Sequence, residues 1–148
     1  AALQYMQRAI EINPNNQWNV ADMGMVLQYI GQAEAALECF RRAREIDPFF
    51  DPPWYWFITG QAYLILHRYE EALAAFELLP ARGYWDAALM AACHARLGDM
   101  AHAADLRAKC LELKPDFSIG RRMSKEPFRD PADAAHQAES LRLAGLPE

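Results

Sequence analysis

An all-α fold of stacked helical hairpins is what this sequence of 148 residues predicts. Three observations lead there. The stretch AALQYMQRAIEINP at residues 1–14 is echoed by AALECFRRAREIDP at 35–48, so that Ala2 and Ala36, Ala9 and Ala43, and Pro14 and Pro48 each stand 34 apart. Self-similarity at a fixed period marks a repeat architecture, in which each unit buries its apolar face only against its neighbours. Apolar residues recur three or four apart in runs closed by Gly or Pro, the signature of short amphipathic helices. Alanine is abundant, which favours helix, and no alternating run of β-branched residues suggests a sheet.

The elements follow in order. Residues 1–14 read as the second helix of a truncated unit. In the unit 15–50, Val20, Met23, Gly24 and Leu27 form one helical face, Gly31 breaks it, and Ala36, Phe40 and Ala43 form the next before Pro48. Antiparallel helices approach closely only where side chains are small, so Gly24, Ala36 and Ala43 mark the crossing, with Leu27 and Phe40 beside it. In the unit 51–83, Trp56, Gly60, Tyr63, Ala72, Phe76 and Leu79 match these positions with a shift of 36. His67 replaces the turn glycine, leaving that turn less well made. In the unit 84–115, Ala87, Ala91, His94, Gly98, Ala103 and Cys110 follow at a shift of 31, after Pro80 cuts the preceding helix short. Arg107 stands where Phe76 stood, and Leu106 is expected to take over its packing.

These residues resemble the tetratricopeptide repeat, whose period is 34 and whose pattern is W-x2-L-G-x2-Y, then A-x3-F-x2-A, then P. WFITGQAY followed by YEEALAAFELL carries the resemblance most clearly. It covers residues 1–115 and implies a right-handed superhelical solenoid that acts as a protein-interaction scaffold, with no catalytic residue of its own. The chain has no initiating Met and opens inside a helical pattern, so it is expected to be part of a longer protein.

Residues 116–148 differ. They read as a short helix, a basic loop and a helix over about 131–144, with Asp130 as N-cap, Pro131 in the first turn and Gly145 after the last. Ala134, Ala138, Leu141 and Leu143 are expected to cover the end of the last repeat, because a solenoid needs a cap. The pattern PDFS…PF.DPA…L..AGLPE resembles the tails of bacterial multidomain signalling proteins, among them class III adenylate/guanylate cyclases with a C-terminal repeat region. That resemblance implies a second reading, a regulatory or dimerisation domain beside such an enzyme.

Composition excludes other classes. The net charge of −5 argues against a nucleic-acid or anionic-membrane binder. No apolar run reaches the roughly 20 residues that span a bilayer. Cys39, Cys93 and Cys110 have no CxxC spacing and read as buried hydrophobes in a reducing, cytoplasmic compartment. Cys93 and Cys110, on opposing helices, are expected to lie near each other. His67, His94, His102 and His136 show no common metal-ligand spacing, and no phosphate-binding glycine loop exists. No metal, cofactor or catalytic group is therefore expected. The basic runs Arg41, Arg42 and Arg44, and Arg121, Arg122, Lys125 and Arg129, read as solvated surface or as a contact for an acidic partner.

The resemblance places partner binding on the concave face, lined by the first helix of each unit. Trp18, Ala21, Met25, Gln28 and Tyr29 are expected there, then Trp54, Phe57, Gln61, Leu64 and Ile65, then Trp85, Ala88, Ala92, Ala95 and Arg96. Trp18, Trp54 and Trp85 hold one position in three successive units, with shifts of 36 and 31. Two readings stand: the tryptophans seal the joints between units, or they line an apolar groove for a peptide, a helix, another domain or a second copy. Each exposed side chain of this size forgoes about 1.5–3 kcal/mol of burial, which favours a partner. Relatives that clamp a terminal carboxylate use Lys and Asn in the groove. Ala21, Met25, Phe57 and Gln61 stand here instead, which argues against that mode.

Overall fold

The computed structural model describes residues 2–148; Ala1, where the first unit was expected to begin, lies outside them. Among the described residues there are nine helices and no strand. Helix α1 spans Ala2–Ile12. Three antiparallel hairpins follow: α2 (Gln17–Tyr29) with α3 (Ala33–Ile46), α4 (Tyr55–Ile65) with α5 (Tyr69–Glu77), and α6 (Tyr84–Arg96) with α7 (Met100–Leu113). A one-turn helix, α8 (Ile119–Met123), and a longer one, α9 (Pro131–Leu143), complete the chain.

Each hairpin closes where the sequence removes bulk. A Cβ on Gly24 would stand 2.5 Å from the Phe40 ring, and one on Gly60 would stand 2.7 Å from Phe76. Phe40 and Phe76 are fully buried against these glycines. Ala91 replaces the glycine in the third hairpin, and the aromatic opposite it is gone, because Arg107 stands there. Leu106 packs on the core instead. Neighbouring hairpins join through the second helix of one and the first of the next, α3 on α4 and α5 on α6. The Tyr55 hydroxyl donates to the Phe40 carbonyl across the first of these joints (3.0 Å). Two clusters of buried side chains result, one around α2, α3 and the start of α4, the other from Leu64 to Leu146. Trp56 and Phe57 pack against both.

The turns are made unequally. Gly31 (φ 87°) and Gly98 (φ 81°) take the left-handed conformation that ends α2 and α6. The same place in the middle hairpin is held by His67 at φ 61°, which costs a residue with a Cβ about 1–2 kcal/mol.

The C-terminal segment does more than cover an end. Phe117, Ile119, Leu141 and Leu146 are buried in the second cluster, and Ile119 N donates to the Pro147 carbonyl (2.9 Å), folding the tail back on α8. Helix α9, however, lies along α6 and reaches α4, not α7. Its buried face is Gln137, Ser140 and Leu141, and Leu143, expected on the packed side, is 46% exposed. The segment thus runs across the first helices of successive hairpins.

Candidate functional site

The first helices α2, α4 and α6 present the concave face, and the chain's own residues 122–140 occupy much of it. At its centre the Gln61 carboxamide is fully buried. Its Oε1 accepts from Gln28 Nε2 (3.1 Å) and from the Tyr29 hydroxyl (3.0 Å), while its Nε2 donates to Glu126 Oε2 (3.2 Å). Glu126 has only 4% of its side chain exposed, and its other oxygen accepts from Arg122 (2.8 Å). The Arg122 guanidinium lies 4.3 Å over the Trp85 ring, a cation–π contact. Phe128 packs on Tyr29 (5.4 Å between centroids), and Arg129 N donates to the Tyr29 carbonyl (2.8 Å). Burial first, and then the Glu126 charge, push the Tyr29 phenol up to about 12.

Helix α9 adds a second row. Arg96 Nε donates to Ser140 Oγ (2.8 Å), which in turn donates to the His136 carbonyl (2.7 Å). The His136 ring stacks on His67 (3.7 Å between centroids, 14° between planes), and its Nε2 lies 2.8 Å from the Tyr69 hydroxyl. Burial, His67 and Arg96, in that order, push the His136 imidazole down to about 4.

The groove residues read from sequence thus divide. Tyr29, Gln61, Trp85 and Arg96 meet the tail. Ala21, Gln28, Leu64, Ala88 and Ala92 are fully buried between helices and present no surface. Ile65 is buried as well, and Phe57 packs on Phe76 (6.2 Å). Ala95 is half-buried on the last turn of α6. Trp18 (49% exposed), Met25 and Trp54 stay at the open edge near the first complete hairpin. The tryptophan row finds intramolecular aromatics: Phe50 meets Trp18 edge-on (4.9 Å) and Trp54 (6.2 Å), and Phe117 stacks on Trp85 (6.3 Å). Phe50 and Phe117 hold the same place after their units, two residues past Pro48 and Pro115.

Sequence reasoning missed Arg122, Glu126, Phe128, His136 and Ser140 as groove contacts. The only signal was a carboxylate and an aromatic, Glu126-Pro127-Phe128, inside an otherwise basic loop.

Two further expectations meet the structure here. Cys93 and Cys110 are free thiols, and burial pushes them up to about 12 and about 11, so neither is a ready thiolate. The histidines were read as sharing no metal-ligand spacing, yet the α6–α7 turn brings two of them to one carboxylate. His102 Nδ1 and His94 Nδ1 lie 2.6 and 3.4 Å from Asp99 Oδ2. The helix-to-helix turn, not a spacing within one helix, creates this cluster.

Comparison with known proteins agrees with the geometry. Residues 21–50, one hairpin, match the tetratricopeptide repeat model. A curated protein of Mycosarcoma maydis, the small glutamine-rich tetratricopeptide repeat-containing protein 2, is 31% identical over 77 residues, which are 52% of this chain and 21% of that protein. The chain therefore spans about a fifth of that relative's length. Among solved structures, MamA from Desulfovibrio magneticus RS-1 superposes with a TM-score of 0.70 at 18% identity, over 96% of this chain and 83% of that one. Another crystal structure of MamA gives 0.68 at 17% identity, over 97% and 84%. At such identities the likeness establishes the fold alone. No helix among the described residues is long and apolar enough to cross a membrane. The family match covers one hairpin, and the likeness to MamA extends the same stacked-hairpin fold along the rest of the chain.

Proposed function

We propose that this chain is a non-catalytic protein-interaction module that receives a peptide or helix on its concave face, and that its own C-terminal segment holds that face between encounters. One observation carries the reading: the Glu126 carboxylate sits on Gln61 and beside Tyr29, and Phe128 lies on the Tyr29 ring. A groove that accepts an acid and, two residues later, an aromatic recognises that chemistry in another chain as well. Helix-in-groove docking of this kind reuses the packing that α9 already makes with α6 and α4. Trp18, Met25 and Trp54, at the open edge, offer the partner a first contact before the tail is displaced. The competing segment can belong to a separate protein, to another part of a longer chain or to a second copy.

The test uses the tail as its own probe. A fluorescent peptide of residues 122–143 is titrated into the wild-type chain and into a Glu126→Ala/Phe128→Ala variant whose helical content has been verified. The variant, with its tail loosened, is expected to bind the peptide at least about tenfold tighter, because the occupied state no longer reduces the competent fraction. Equally weak binding to both would remove the groove reading.

A further inference from the structure

The α6–α7 turn carries a cluster that groove binding does not use. Gly98, at φ 81°, reverses the chain, and Asp99 then serves as N-cap of α7. Backbone bonds tie three residues together here: Asp99 N donates to the His94 carbonyl (2.9 Å), and His102 N donates to Asp99 Oδ1 (3.2 Å). With Oδ1 engaged as the cap, Oδ2 is left facing the two imidazoles, 2.6 Å from His102 Nδ1 and 3.4 Å from His94 Nδ1. The rings themselves stack at 5.1 Å, inclined by 20°. Three ligand atoms, one from each side chain, lie within 4.8 Å of one another.

The fold itself does not demand these residues. The corresponding places in the other two hairpins hold Leu27, Gln32 and Ala35, and Tyr63, Arg68 and Glu71, so the hairpin closes with either set. Two imidazoles and a carboxylate are the donor set of zinc and its transition-metal neighbours; magnesium and calcium take oxygen ligands almost exclusively.

We propose that His94 Nδ1, Asp99 Oδ2 and His102 Nδ1 bind one divalent transition ion of the zinc class, with a fourth position left to water or to a ligand from outside. The ion lies between the carboxylate oxygen and the two Nδ1 atoms that now face it. In the bound state each neutral imidazole carries its single proton on Nε2, and a rotation about Cβ–Cγ turns its Nδ1 lone pair onto the ion. The backbone bonds hold the carboxylate in place beforehand, so little ordering remains to be done on binding. The ion would clip the end of α6 to the start of α7.

Isothermal titration of the tag-free chain with ZnCl2, and separately with MgCl2, tests this. One Zn2+ per chain and no heat from Mg2+ are expected. Co2+ substitution is expected to give visible d–d absorption bands. His102→Ala removes a ligand that is 68% exposed and leaves packing alone, and Asp99→Asn keeps the cap but loses the charge. Each variant, verified as folded by circular dichroism, should bind Zn2+ about tenfold or more weakly and lose the Co2+ bands. No Zn2+ heat from the wild type would overturn the site. So would wild-type affinity in both variants, because the ion would then sit elsewhere, for instance on Cys39. Equal binding of Mg2+ would also overturn it.

Discussion

The hairpin crossings and the tail junction solve the same packing problem with opposite chemistry. At the crossings, Gly24 receives Phe40 and Gly60 receives Phe76, contacts with no polar group in them. At the tail junction, Gln28, Gln61, Arg122 and Glu126 are packed around Tyr29 and Trp85, and the buried Gln137 donates to the Met123 sulfur. Four buried polar atoms there, Gln28 Oε1, Trp85 Nε1, Arg122 Nε and Gln137 Oε1, have no protein partner. The apolar crossings hold no titratable group or ion pair for pH to disturb, whereas each unpaired buried polar group at the junction costs about 1–3 kcal/mol. That difference in chemistry is what the proposal of permanent hairpins and an exchangeable tail rests on.

The largest effect should come from the permanent side. Phe76→Ala opens a cavity beside Gly60 and is expected to cost about 3–5 kcal/mol in urea denaturation. A loss below about 1 kcal/mol would break the contrast, because the crossing would then be no stronger than the junction. Next comes the effect of acid on the tail. The groups facing His136 are His67 from the α4–α5 turn, Tyr69 at the start of α5 and Arg96 from α6, with Asp133 one turn earlier on α9. Its pKa is about 4 when docked and 6.5 ordinarily, so the undocked tail binds the extra proton. Docking is therefore complete above about 6.5 and weakens as pH falls toward 4. Hydrogen exchange of α9 amides, corrected for intrinsic rates, should rise about tenfold across that window while α2–α3 amides hold steady. A His136→Gln variant should show no such rise. The smallest effect tests the turn that serves both regions. His67→Gly relieves about 1 kcal/mol of backbone strain and removes the ring under His136. The unfolding midpoint should rise slightly while α9 exchanges faster; unchanged α9 protection would sever the stack from tail retention.

The solenoid was legible because its determinants are local and periodic. Gly24, Gly60 and Ala91 fall at one register position, and the glycine turns and Pro80 punctuate them. The path of the tail was not legible, since nothing local distinguishes a cap from a groove filler. The apolar pattern of α9 pointed to Leu143, but His136 and Ser140 make the contacts through hydrogen bonds with partners 67 and 44 residues away. Glu126 went unnoticed for the same reason: its groove partners, Tyr29 and Gln61, lie in other units. Of the positions read as a concave row, Ala21, Leu64, Ala88 and Ala92 pack helix on helix, because their small or compact side chains let α2, α4 and α6 sit close.

The place of α9 across the first helices has a consequence for time as well as for affinity. A newcomer cannot settle on Gln61 or Arg96 until the resident segment has lifted. Capture by this route should therefore speed up with ligand concentration only to a ceiling, set by the opening rate of the tail and not by diffusion.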